Sequence, residues 1–268
     1  MAVDMSKHFS LPQLVRYAAP SIVMCLFASV YAIVDGFFVS NYVGKVAFAA
    51  VNWTLPFLTI LSTVGYMFGT GGTALVAKTR GEGKDELANQ YFSMIVIACL
   101  AFGIIISALG AFFMRPLFAL LGASGEMLDL SVLYGLMCLI SLPFYMLEDA
   151  FQSLFVAAGK PKVGLWVMVA AGVTNIILDA LFIAVFGWGL VGAAAATIIG
   201  EYIGGLAPII YFARKNTSFL RLKLTPIKWR VIGKACVNGS SEMVASIAMS
   251  LVAMLFNFQL LRLIGEDG

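Results

Sequence analysis

Residues 174–183 read TNIILDALFI. Apolar side chains fill the run, yet an acid, Asp179, stands inside it. An ionised carboxylate near the centre of a bilayer costs about 2.5–3.5 kcal/mol even on the mildest scale. A chain that keeps it there must offset the cost or use the charge. That matters only if the run lies in lipid, which the residues around it decide.

The chain has 268 residues, 61% of them hydrophobic and 12% charged, with a mean hydropathy of +0.97. Soluble domains carry about 25% charged residues, so this is not an ordinary soluble chain. A helix needs ~20 apolar residues to cross the hydrocarbon. Unpaired backbone groups are not tolerated there, which leaves helices or a closed barrel. A barrel would show short alternating segments. The runs here are long and continuously apolar, so the expected fold is all-α, a polytopic membrane protein.

Seven spans are expected, at about 14–40, 48–77, 88–113, 128–157, 163–186, 189–213 and 236–264. Short connections predict antiparallel neighbours. The exception is the basic stretch 214–235, which carries Pro226 and is expected to lie on the membrane surface with a short amphipathic helix. Fourteen lysines and arginines fall on the side of the N-terminus, the even loops and this linker, whereas Lys45, Arg115 and Arg262 fall on the other. The positive-inside rule therefore predicts a cytoplasmic N-terminus and linker in a multi-pass cell-membrane protein. The opening MAVDMSKHFSLPQLVRYAAP lacks a short apolar region with a small-residue cleavage site, so no cleavable signal peptide is expected. Cys25, Cys99, Cys138 and Cys236 fall in or beside apolar spans. They have neither disulfide-framework nor metal spacing and are expected to be small buried hydrophobes.

Helical rise places the polar residues by depth. Asp179 lies roughly 10 Å, and Thr197 roughly 12 Å, below the outer surface. Asn175 is one turn deeper than Asp179 on the same face, and Glu201 one turn deeper than Thr197. Asp35, in VDGFFVSNYVG, is in the outer half of the first span. If the first, fifth and sixth spans are neighbours, Asp35, Asn175, Asp179 and Thr197 converge. Two carboxylates close together in low dielectric cannot both ionise cheaply, so such a pair is suited to bind and release a proton. The same oxygens suit Na⁺, a hard cation, and the residues do not choose between the ions. A lone Asn or Thr in a span is more often interhelical glue, but an intramembrane Asp is a functional candidate by default.

Glu148, Gln152, Glu201 and Glu242 are further cavity candidates; Glu148 and Asp149, being adjacent, cannot share a face and serve either a functional cavity or a structural pairing. Glu242 is expected near the start of the seventh span, at the interface, and His8 on an uninvolved N-terminal arm. Pro56, Pro143 and Pro208 lie inside spans, as static kinks or as bends that shape a cavity. GYMFGTGGTALVAKTRGEGK is rich in small residues, which suits close helix packing. It lacks the GxxxxGK[ST] of a phosphate loop.

Several of these pieces occur together in one known family. DGFFVSNYVG, NWTLPF, GTGGTALVAKTRGEGKDELA, FQSLFVAAGKPK, NIILDALFI and GLVGAAAATIIGE, in this order over residues 12–213, resemble the N-terminal half of the multidrug and toxic compound extrusion (MATE) antiporters. Asp35, Asn175, Asp179 and Thr197 fall where the DinF-type branch has its N-lobe cation site. The resemblance implies two six-helix lobes with substrate between them and alternating access by rocking. It also implies export of cationic, amphipathic organic compounds driven by inward H⁺ or Na⁺, with no cofactor besides the coupling ion. The partners implied are small organic cations and membrane lipid, with no nucleic acid. On this basis residues 1–213 are a six-helix N-lobe, 214–235 a basic linker and 236–268 the first helix of a C-lobe. The chain is then expected to be a fragment, or a half that needs the missing C-lobe or a second copy. The alternatives are a lipid-linked oligosaccharide flippase of the same superfamily, which would need a cationic cavity, and a non-transporting membrane protein. Neither a His pair, a Ser–His arrangement nor a metal cluster points to an enzyme.

Overall fold

A computed structural model of the chain describes residues 11–264. Seven long helices follow one another: α1 (Leu11–Phe38), α2 (Lys45–Gly81), α3 (Asp85–Leu120), α4 (Gly125–Ala157), α5 (Pro161–Asp179), α6 (Gly189–Ala213) and α7 (Trp229–Ile264). All seven are long and apolar enough to cross a membrane, so the chain is a multi-pass membrane protein. His8 lies outside the described residues, and so does the side chain of Cys25. Cys99 and Cys138 are buried and unoxidised, in keeping with their expected packing role.

Two helices end in wider turns. α1 runs into a π-turn at Val39–Val43, and α5 into one at Ala180–Val185. Such i→i+5 turns are rare and gather at functional sites. The first begins four residues after Asp35, the second directly after Asp179.

The connections alternate between the two ends of the bundle. At one end, Gly83 (φ 76°) and Gly159 (φ 67°) take the left-handed conformation that ends α2 and α4 tightly. The same end carries the linker, residues 214–228, which runs extended across the helix ends. Asn89 Oδ1 accepts the Arg221 N–H at 2.7 Å, and Ser93 Oγ accepts the Lys223 N–H at 2.8 Å. Lys223 pairs with Glu86, and the Arg80 guanidinium stacks over Phe219. These contacts seat the linker on α2, α3 and the end of α4.

α2 and α4 form the centre. α2 packs on α3, α4 and α7, while α4 also touches α5 and α6. Small residues allow the closest approaches, as GYMFGTGG suggests. A Cβ on Gly69 would stand 2.7 Å from Ala150 Cα, so no side chain larger than hydrogen fits between the two backbones. Gly71 likewise meets the backbone of Ala235, and Gly239 that of Met67. Pro56, Pro143 and Pro208 are all buried inside their helices, and Pro116 lies inside α3.

Two boundaries differ from expectation. α3 continues through Pro116 to Leu120 rather than ending near 113. α7 begins at Trp229, not 236, so the first helical turns come from the basic stretch. Val231, Ile232 and Ala235 are buried, whereas Arg230 and Lys234 are exposed. The expected amphipathic segment is thus continuous with the seventh helix. Glu242 consequently stands ~20 Å along α7, well inside the helix rather than at its start, on an exposed face.

Candidate ion-binding site

α1 and α5 pack against each other, and α5 also packs along α6. This places Asp35, Asn175, Asp179 and Thr197 together. The carboxyls of Asp35 and Asp179 share a side-chain hydrogen bond. Such a bond needs a proton between two groups that both only accept when ionised, so the pair can form it only when at least one carboxyl is protonated. Asp179 is fully buried and Asn175 nearly so, at 0% and 3% exposure. With its amide oxygen turned toward α6, Asn175 donates to Asp179 Oδ2 at 3.3 Å and accepts the Thr197 backbone N–H at 3.2 Å.

Local sequence explains the closeness. Gly200 stands where α5 and α6 touch, and a Cβ there would lie 3.3 Å from Asn175 Cβ. The site also includes a residue that depth counting did not select. Tyr134 of α4, 1% exposed, hydrogen-bonds the side chain of Thr197. It was hidden because α4 was not among the helices matched by depth. A buried tyrosine hydroxyl needs a partner, and that need is the signal that could have found it.

Oδ1 of Asp35 and Oδ1 of Asp179 are buried without a hydrogen-bond partner. Buried polar atoms are normally paired, so these two lone-pair bearers are available to a proton or to a small hard cation. Among the described residues no group of three His, Cys, Asp or Glu side chains is arranged to hold a metal ion. The arrangement is a two-carboxylate site with amide and hydroxyl neighbours.

The remaining candidates separate. Glu148 faces α6, its carboxylate lying against Gly204. Asp149 points away from it, toward Tyr66 and Ser62 of α2. Gln152 and Glu148 line a narrow recess walled by Met24, Phe151, Phe155 and Met168. Glu201 sits one turn from Thr197, against the hydroxyl of Ser141. Glu242, on α7, does not join any of these groups.

Known proteins carry the same architecture. The MatE family pattern matches residues 20–181. The multidrug export protein MepA of Staphylococcus haemolyticus is 32% identical over 210 residues, which are 78% of this chain and 44% of that protein. MepA of Staphylococcus aureus strain MRSA252 is 28% identical over 252 residues, 93% of this chain and 54% of that protein. The chain therefore spans about half the length of the curated relatives it matches. A solved inward-facing multidrug resistance MATE family transporter superimposes with a TM-score of 0.83 at 23% identity, over 89% of this chain and 55% of that one. Seven apolar helices in this packing order, together with a family match over more than half of the sequence, place the chain in the MATE family of membrane transporters.

Proposed function

We propose that the chain forms the ion-coupling lobe of a secondary active antiporter that exports amphipathic organic cations in exchange for H⁺ or Na⁺. One observation carries this: two carboxyls from different helices meet in a buried site, each with an unpartnered oxygen. Within this proposal Asp35 and Asp179 take up the ion, while Asn175 and Thr197 hold the pair in register. The multidrug export proteins that the chain resembles support the substrate class.

The proposed cycle uses the local geometry. An ion entering from outside neutralises the pair, and α1 and α5 then repack about the π-turns that follow Asp35 and Asp179. Closure of the lobe lowers its affinity for the organic cation, which leaves outward. Release of the ion to the inside resets the pair. A second six-helix lobe, from the same polypeptide or another copy, completes the path between two rocking halves. Residues 1–213 are assigned to the first lobe, 214–228 to the linker and the helix that begins at Trp229 to the next lobe. The linker and the even loops share one end of the bundle, and their positive charge assigns that end and the N-terminus to the cytoplasm. Within the family the proposal favours the DinF-type branch, a reading that the set Asp35, Asn175, Asp179 and Thr197 supports.

Drug-sensitive bacterial cells expressing the protein should accumulate less of a fluorescent lipophilic cation than control cells. Asp179→Asn should restore accumulation to the control level at equal membrane abundance. Equal efflux by wild type and Asp179→Asn would refute the proposal.

A further inference from the structure

The polar ladder does not stop at the Asp35–Asp179 pair. Along α6, Thr197, Glu201, Gly204 and Pro208 lie at i, i+4, i+7 and i+11, on one face. Thr197 belongs to the outer site. Glu201 is one turn nearer the linker end, and Gly204 is the residue on which the Glu148 carboxylate rests. Pro208 borders the recess that Glu148 and Gln152 line. Polar groups thus continue from the paired acids to an open recess beyond the middle of the bundle.

Among the described residues no ion pair joins a base to Glu148, Asp149 or Glu201. The ion pairs found among the described residues join Arg80 to Asp85, Lys84 to Glu82, Arg115 to Asp129 and Lys223 to Glu86, all at helix ends. Glu201 has Ser141 beside one oxygen, and its Oε2 is buried without a partner. Asp149, 2% exposed, receives Tyr66 and Ser62 but leaves Oδ2 unpartnered. Tyr66 itself bridges Asp149 and Gln152. The titratable groups facing this cluster are Tyr31 of α1, Tyr66 of α2, Cys99 of α3, and Cys138 and Tyr145 of α4. Tyr31 lies within electrostatic reach of Asp35, Asp179, Glu148 and Glu201 together.

We infer that Glu201 and Glu148 form a second proton-binding station, which receives protons from the Asp35–Asp179 pair and passes them toward the recess at the linker end. This rests on the proposal above that the outer pair binds the coupling ion. Each transfer is a proton leaving one carboxylic acid for the next carboxylate, with no other bond changed. Two acids near one another in low dielectric cannot both ionise cheaply. The arrangement also explains why uncompensated acids persist in a hydrophobic bundle.

Infrared difference spectroscopy of the purified full chain tests this without requiring transport. The readout is the part of the protonated-carboxyl C=O stretch that titrates outside the range of exposed carboxylates such as Glu82, Asp85, Glu86 and Asp129. In Asp35→Asn/Asp179→Asn, a titrating component should survive. Adding Glu201→Gln or Glu148→Gln should remove at least half of it. Loss of every titrating component in the outer double variant would overturn the inference, as would a surviving component that neither glutamine changes. Failure of the outer proposal looks different: the outer double variant would then match wild type, while Glu201→Gln still removed a component. Circular dichroism establishes that each variant is folded, and Glu201→Gln in the wild-type background serves if the triple variants are not.

Discussion

The carboxyl of Asp35, near the end of α1, hydrogen-bonds the carboxyl of Asp179, at the end of α5. Neither acid has a basic partner in this contact, and each keeps one buried, unpartnered oxygen. The two charges therefore cannot be treated as independent, because ionising one raises the cost of ionising the other. Their proximity turns two isolated liabilities in lipid into one electrostatically coupled unit.

Asn175 should matter by holding that unit in place. Its amide links Asp179 to the α6 backbone at Thr197. Asn175→Ala removes a hydrogen bond to a charged group, worth about 1.5–3 kcal/mol. Ion affinity, read as the half-saturating gradient in a transport assay, should weaken roughly 10- to 150-fold. Asn175→Asp should also impair coupling, by adding a third acid to the site.

Tyr134 should stabilise the site from below. Its hydroxyl bonds both Thr197 and Cys138. Tyr134→Phe leaves buried groups unsatisfied, at about 1–3 kcal/mol. The thermal unfolding midpoint in detergent should fall, and a transport defect should accompany it. An unchanged midpoint with unchanged transport would show the hydroxyl to be dispensable.

The α2–α4 contact should tolerate no side chain at Gly69. A Cβ there would approach Ala150 Cα to 2.7 Å and its carbonyl oxygen to 2.8 Å, so backbone must move. Gly69→Val should destabilise by about 1–3 kcal/mol or more, measured as a lower unfolding midpoint and a lower yield of folded protein. Gly81→Ala, at an open position, is the control and should have little effect.

The linker should be held by α3 rather than merely lie near it. Asn89 and Ser93 accept backbone N–H groups of Arg221 and Lys223. Asn89→Leu with Ser93→Ala should free the strand and speed tryptic cleavage at Arg221 and Lys223 severalfold in native protein. Cleavage at the wild-type rate would show that the two hydrogen bonds do not retain the segment.

Hydropathy made the seven helices legible, because lipid demands long apolar runs and leaves few alternatives. The expected span 189–213 coincides with α6. Depth counting brought Asp35, Asn175, Asp179 and Thr197 to one level, and the packing of α1, α5 and α6 put them in contact. Glu148 and Asp149 diverge as adjacent helical residues must. What escaped the sequence depended on tertiary partners. The π-turns after Asp35 and Asp179 have no residue signature. Tyr134 reaches the site from a helix whose neighbours hydropathy does not specify. The start of α7 was masked by Arg230 and Lys234, whose charges hid the buried Val231, Ile232 and Ala235. Glu242 was misplaced along the helix for the same reason.

The most direct measurement is counter-transport in proteoliposomes reconstituted with the protein, driven by an imposed proton or sodium gradient. Wild type should move a fluorescent organic cation against at least one of the two gradients. Asp35→Asn and Asp179→Asn should each abolish the gradient-dependent component at matched incorporation, and the double variant should be no worse than either. Gradient-driven transport at the wild-type rate in either single variant would contradict the central claim that this carboxyl pair couples the ion to export.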